Sequence, residues 1–169
     1  MRPDAKLTPT NTMSSNGLRG HMKYFAYGSN MDPQRMRERG VSFSQRKRAI
    51  LKGYVLSFNK VGLDNPREGK GNITKNENEV VEGALYGIHD SDLTKLDVAE
   101  GFPDHYDHVA VVVELEDGTI VQALAYVAQS SKIRDGLKPK REYLSHYFAA
   151  DDLLSTPYVQ KLRSIETLD

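Results

Sequence analysis

The chain has 169 residues, neither cysteine nor tryptophan, and 23 Lys+Arg against 23 Asp+Glu. That length suits one domain of ordinary size, able to bury about two-thirds of the surface its unfolded form exposes without a metal or disulfide staple. The composition excludes disulfide frameworks, thiolate metal clusters and cysteine nucleophiles. It also excludes an overall field drawing the chain onto nucleic acid or an anionic membrane and, with no apolar run near the roughly 18–20 residues required, a helical membrane span. Missing cysteines suit a reducing cytosol, so the expected location is cytoplasmic. The default state is a monomer, with a homodimer as the alternative.

Residues 1–22 are rich in Ser, Thr, Asn, Pro and Gly, and their apolar residues have no period. They lack the apolar core of a secretory signal, and Gly20-His21-Met22 reads as a cloning junction. The expectation is a flexible arm or cloning remnant over 1–22 and one domain over 23–169. Tyr24-Phe25-Ala26-Tyr27 is a short strand stopping at Gly28-Ser29-Asn30. Asp32 is a helix cap with Pro33 at the first helical position, and this helix runs to about Arg39 before Gly40. Ile50–Asn59 is a strand, the Gly- and Asn-rich stretch 60–79 a long surface loop, and Val80–Ile88 a strand with two glycines. Asp90 or Ser91 caps a helix bearing Leu93, Leu96 and Ala99, which ends at Glu100-Gly101.

Val109–Leu115 and Ile120–Ala128 then form a hairpin, for which Asp117-Gly118 suits a two-residue type I′ turn. In that register Tyr126 lies opposite Val109, so Tyr106 and Tyr126 point to opposite faces unless a bulge intervenes. Two amphipathic helices close the chain. One starts at Pro139 and carries Tyr143/Tyr147 and Leu144/Phe148; the other starts at Thr156-Pro157. Strands outnumber helices, and the expected class is α+β with a mixed, mostly antiparallel sheet able to curl into a barrel.

Common catalytic signatures are missing. The run from Gly62 to Lys70 has the wrong spacing for a phosphate loop, and no Gly-x-Ser-x-Gly elbow exists. Nucleotide cofactors are not expected. Asp104-His105-Tyr106-Asp107-His108 resembles a metal cluster, yet a strand would send His105 and His108 to opposite faces, so no metal is expected. Arg46-Lys47-Arg48 and Arg35/Arg37/Arg39 lack interleaved aromatics and read as solvated faces. Glu100 stands out. At a helix C-terminus its carboxylate faces the negative end of the dipole, and an apolar wall such as Phe102 would add to that, both raising its pKa toward that of a general base. Position alone favours a solvated helix-end residue. The nine tyrosines read mostly as core or edge residues.

Tyr24-Phe25-Ala26-Tyr27-Gly28-Ser29-Asn30-Met31 resembles the Tyr-Gly-Ser-Asn loop of the γ-glutamylcyclotransferase-like family. Leu96-Asp97-Val98-Ala99-Glu100-Gly101 resembles that family's Leu-Asp-x-x-Glu-Gly segment, and the elements follow in the family's order over about residues 23–166. The resemblance implies a small mixed β-barrel with flanking helices and a cofactor-free release of 5-oxoproline from a γ-glutamyl substrate. Glu100 matches the catalytic glutamate. Tyr24, Phe25, Ala26, Tyr27, Gly28, Ser29 and Asn30 match the substrate-binding wall and turn, and Tyr126 and Tyr143 match substrate-binding tyrosines. The substrate's α-amine attacks its own γ-carbonyl, so a pocket that folds the γ-glutamyl chain supplies much of the catalysis. Met31-Asp32 and Phe102-Pro103-Asp104 are local departures. The leading expectation is action on γ-glutamyl amino acids or peptides. The alternatives are γ-glutamyl amines, a γ-glutamyl-protected metabolite, or a non-catalytic binding module.

Overall fold

The computed structural model describes residues 20–169; the expected N-terminal arm lies, up to residue 19, outside the described residues. Strand β1 (His21–Ala26) begins three residues before the expected strand start at Tyr24, pairing His21 with His89 and Met22 with Ile88. It is followed by a 3-10 turn (Ser29–Met31) and helix α1 (Pro33–Glu38). As expected, Asp32 caps α1, its Oδ1 accepting from the Gln34 N–H at 3.0 Å, with Pro33 at the first position, where a missing N–H costs nothing. Strand β2 (Phe43–Val61) and strand β3 (Gly69–His89) then form one long antiparallel hairpin.

That hairpin corrects the loop expected over 60–79. The true connection is the short stretch 62–68, and Gly69, Gly71 and Asn72 are buried strand residues. Gly71 is a close-approach residue: a Cβ there would overlap the Tyr147 hydroxyl. Composition alone reads such a stretch as a loop because Gly and Asn are poor strand formers, whereas here they make room for side chains from elsewhere. β2 carries an extra residue against β3 between Ser57 and Lys60. Such bulges bend a strand and redirect the side chains beside them.

A 3-10 turn (Asp90–Asp92) leads into helix α2 (Leu93–Glu100), closed by Gly101 in the left-handed conformation at φ 72°. Neither Asp90 nor Ser91 caps this helix by its side chain; Asp92 instead accepts from the Ser42 N–H at 3.1 Å and from Lys95. Strands β4 (Tyr106–Leu115) and β5 (Ile120–Ala128) form the predicted hairpin with a different turn. Only Gly118 has positive φ, and the Gly118 N–H donates to the Leu115 carbonyl, so the loop has one residue more than a type I′ turn. The slip places Tyr126 opposite His108 rather than Val109. Tyr106 and Tyr126 therefore share a face, because moving a strand by one residue reverses every side chain.

The strands close into a barrel in the order β1-β3-β2-β4-β5, with β1 and β5 parallel and the other pairs antiparallel. This is the expected α+β, mostly antiparallel mixed barrel. Alternation divides its side chains into two cores. Phe25, Leu51, Val81, Val113 and Ala125 belong to a cluster drawn from all five strands and fill the interior. Tyr24, Tyr86, Tyr106 and Tyr126 point outward and are covered by α1, α2, helix α3 (Arg141–Phe148) and helix α4 (Thr156–Arg163). The first tail helix starts at Arg141, two residues after the expected Pro139.

The basic clusters are not simple solvated faces. Arg46 reaches the Met31 carbonyl at 3.0 Å and Asp152 at 2.7 Å, and Arg48 reaches Glu82 at 2.6 Å and the Leu153 carbonyl at 2.8 Å. Glu82 also accepts from the Ser155 N–H at 2.8 Å, fixing the segment that opens α4. These half-buried guanidiniums tie the C-terminal segment to the barrel.

Candidate functional site

A small cavity of about 30 Å³ opens where β1 ends, walled by Tyr24, Tyr27, Gly28, Ser29, Asn30, Gly71, Glu100, Tyr106, Tyr126 and Tyr143. Eight of the ten candidates line it. Phe25 and Ala26 do not: alternation turns Phe25 into the barrel interior, and Ala26 packs in the outer core opposite Ala84. Ser29, Glu100, Tyr106 and Tyr143 also line a larger neighbouring vestibule of about 180 Å³, whose other walls include Arg35, Arg39, Lys60 and Lys70.

Glu100 arrives at the end of α2, and Gly101 lets the chain turn away immediately behind it. The apolar wall expected from Phe102 is not there, because that ring stacks on His108 at 3.9 Å. Instead Glu100 Oε1 accepts from Asn30 Nδ2 at 2.8 Å and from Arg39 Nη1 at 3.0 Å. Both bonds fall on one carboxylate oxygen, leaving Oε2 without a partner among the described residues. Arg39 also donates to Asn30 Oδ1 at 2.6 Å, and Asn30 Nδ2 to the Tyr24 hydroxyl at 2.9 Å. The two sequence motifs, 70 residues apart, thus meet in one network.

The turn after β1 offers donors. Among the described residues, the N–H groups of Gly28, Ser29 and Asn30 have no acceptor. Its shape is held from below, where the Tyr86 hydroxyl donates to the Asn30 carbonyl at 2.7 Å.

The tyrosine wall is held just as closely. The Tyr106 hydroxyl donates to the Gly71 carbonyl at 2.6 Å, and the Tyr143 hydroxyl accepts the Gly71 N–H at 2.9 Å. The Tyr27 hydroxyl donates to the Tyr126 carbonyl, and the Tyr126 hydroxyl to Asp97 Oδ1 at 2.7 Å. Burial first, and the charge of Glu100 second, raise the phenols of Tyr24 and Tyr27 above their ordinary value; burial likewise raises Tyr106, Tyr126 and Tyr143. These groups stay protonated at neutral pH and act as donors and walls rather than bases.

Sequence reasoning missed Arg39, Lys60, Gly71 and, through the mistaken register, Tyr106. Arg35 and Arg39 stand four apart on α1, a spacing that puts both on one helix face and was a usable signal. Among the described residues no group of His, Asp and Glu converges to hold a metal ion. His108 instead meets Asp97 Oδ1 through Nε2 at 2.6 Å.

Comparison with known proteins bears on the family and the fold. A family model described as "Gamma-glutamyl cyclotransferase, AIG2-like" matches residues 24–146. Among solved structures, the human protein loc79017, described as uncharacterized, superposes with a TM-score of 0.78 at 24% identity, covering 89% of this chain and 90% of that one. A protein described as gamma-glutamyl cyclotransferase gives 0.77 at 25% identity, over 88% of this chain and 90% of the other. YkqA from Bacillus subtilis gives 0.74 at 27% identity, over 88% of this chain and 56% of its own. No curated protein sequence matches.

Proposed function

We propose that this chain, which belongs to the gamma-glutamyl cyclotransferase, AIG2-like family, releases 5-oxoproline and a free amino acid or peptide from γ-glutamyl amides, with Glu100 as the proton carrier. The observation that carries the reading is the meeting of Glu100 with the Gly28–Asn30 turn through the 2.8 Å bond from Asn30. It sets a carboxylate oxygen free to exchange protons beside a set of unpaired backbone N–H donors.

The reaction forms one bond and breaks one. The α-amine of the γ-glutamyl unit attacks the γ-carbonyl carbon, a ring C–N bond forms, and the amide C–N bond to the leaving amine breaks. At neutral pH that α-amine is an ammonium, so one proton must leave before attack and one must reach the departing nitrogen. Glu100 Oε2 takes the first proton and passes it to the departing nitrogen; the second proton, shed by the ring nitrogen as it becomes an amide, leaves with the amine product as its ammonium, and no water is consumed. Such a transfer contributes about 10²–10⁴ in rate. Asn30 and Arg39 hold Oε1, fixing the rotation of the carboxylate. The N–H groups of Gly28 to Asn30 are placed for the developing oxyanion, where one donor contributes about 10²–10³ in kcat. The tyrosine wall leaves a narrow cavity for the folded γ-glutamyl chain, the near-attack shape that an intramolecular cyclisation needs.

The test is mass-spectrometric detection of 5-oxoproline after mixing the protein with γ-glutamyl dipeptides, glutathione and γ-glutamyl amines, with Glu100→Gln alongside. Product from the wild type alone is expected. Equal product from the variant removes Glu100 from the mechanism, and free glutamate in place of 5-oxoproline replaces cyclisation with hydrolysis.

A further inference from the structure

The vestibule outside Glu100 has an electrostatic imbalance. Two of its cations are matched: Arg39 by Glu100 at 3.0 Å and Lys70 by Glu68 at 2.8 Å. Lys60 is not. It is 1% exposed, and among the described residues its ammonium has no ion-pair or hydrogen-bond partner, only the Tyr106 ring face at 4.8 Å. Arg35 lines the same vestibule: one arm meets His146 Nε2 at 3.1 Å, while among the described residues its buried Nε has no partner. The remaining carboxylate, Asp64, sits on the exposed 62–68 connection, where water screens it.

An unmatched buried ammonium is costly, by several kcal/mol in typical interiors. Burial is also the leading reason the Lys60 pKa falls from 10.5 to about 8; Glu100 opposes this, and Lys70 and Lys132 add to it. The bulge between Ser57 and Lys60 lies just where β2 delivers this side chain to the vestibule. A redirected, desolvated cation facing an open cleft is built to meet an anion.

We infer, building on the proposed cyclotransferase reading, that Lys60 is a specificity-determining residue that binds a carboxylate on the leaving amine. The leaving nitrogen must lie beside Glu100 to be protonated. In an α-amino acid the carboxyl carbon is about 2.5 Å from that nitrogen, across two covalent bonds. With the γ-glutamyl half in the tyrosine-walled cavity, this carboxylate falls in the vestibule, where Lys60 and Arg35 have charge to give. A γ-glutamyl alkylamine or carboxamide carries no such group and leaves Lys60 unmatched.

The experiment compares γ-glutamyl-alanine with γ-glutamyl-alaninamide, which differ by that one charge, through 5-oxoproline formation by wild type and by Lys60→Met. Wild type is expected to prefer the carboxylate by about tenfold or more in kcat/KM, expressed in KM, since one charge-assisted bond is worth about 1.5–3 kcal/mol. Lys60→Met should bring the ratio toward one, and raised salt should shrink the wild-type preference. Equal turnover of both compounds by the wild type overturns the role of Lys60 while leaving the cyclotransferase reading intact. A preference that survives Lys60→Met also overturns it. No 5-oxoproline from either compound, or from the wider panel, overturns both.

Discussion

Inside the barrel, Leu51, Val81, Val113 and Ala125 carry no polar atom and ask nothing of their neighbours except volume. On the other face of the same strands lie Tyr24, Tyr86, Tyr106 and Tyr126, joined from α3 by Tyr143 and Tyr147. Each of these six hydroxyls has a named partner, mostly backbone atoms of Asn30 and Gly71 or the side chains of Asn30 and Asp97. The interior is specified by size and the exterior by direction. A phenol is rigid, packs like a hydrocarbon along its length and demands one directed bond at its tip. A layer of such groups can hold a cleft wall in place, which aliphatic packing alone cannot.

If this division is right, the largest effect belongs to the outer layer and is chemical. Glu100→Gln keeps the bonds from Asn30 within reach and preserves shape, so the melting temperature should stay near that of the wild type. Turnover should fall by about 10²–10⁴, the usual worth of a proton carrier. Parallel thermal melts and 5-oxoproline assays check both halves, and a turnover matching wild type would break the assignment. The mirror experiment lies in the interior. Leu51→Ala should cost about 2–5 kcal/mol of stability through lost transfer energy and a cavity, while turnover per folded molecule stays unchanged. Urea unfolding and an assay well below the midpoint decide it. A fall in turnover comparable to the fall in stability would show that the two cores are not independent.

Lys60 belongs to neither core and gives a pH signature. Its pKa is lowered to about 8 by burial, so between about 8 and 10.5 the unfolded chain binds more protons than the folded one. Stability should therefore rise with pH in that window, as the buried ammonium gives up its proton, and the penalty is fully present below pH 8. The buried tyrosines do not confuse the lower part of the window. Their pKa values are raised, so they lower stability only where the phenols of the unfolded chain ionise, near pH 10. Urea midpoints should climb from pH 7 to 9.5 in the wild type and stay flat in Lys60→Met. Parallel climbs in both proteins would trace the effect to another group.

How legible this was from sequence varied with the range of the interaction involved. The cap at Asp32, the Gly101 stop after Glu100 and the two cleft motifs are local patterns, and the structure keeps them where the residues put them. Most of the misreadings are long-range, the hairpin turn and the cap of α2 being the local exceptions. Gly69 and Gly71 looked like a loop because their reason for being glycine lies elsewhere in the chain, the Phe58 carbonyl pressing on Gly69 and the Tyr147 hydroxyl on Gly71. Arg46 and Arg48 looked solvated because their acceptors at Met31, Glu82, Asp152 and Leu153 belong to other elements. Phe102 looked like a wall for Glu100 because nothing local announces its stacking partner, His108.

The hairpin register is the most instructive of these, because a single residue in the turn decided whether Tyr106 and Tyr126 face each other. Their rings now meet edge to face at 6.4 Å, and Tyr126 reaches Asp97 on α2, one turn before Glu100. Tyr126 therefore touches the helix that carries the candidate proton carrier, so its hydroxyl is a positioning group as well as part of the wall. Tyr126→Phe removes the hydroxyl, keeps the ring and leaves Asp97 its bond from His108 at 2.6 Å. The cost to stability should be small, about 1 kcal/mol for one directed bond. If the bond steadies α2 behind Glu100, kcat should fall a few-fold while KM moves little. If KM rises instead and kcat holds, the phenol acts only as a wall of the cavity, and the division between packing and direction would have to be drawn at the Asp97 bond rather than at the barrel surface.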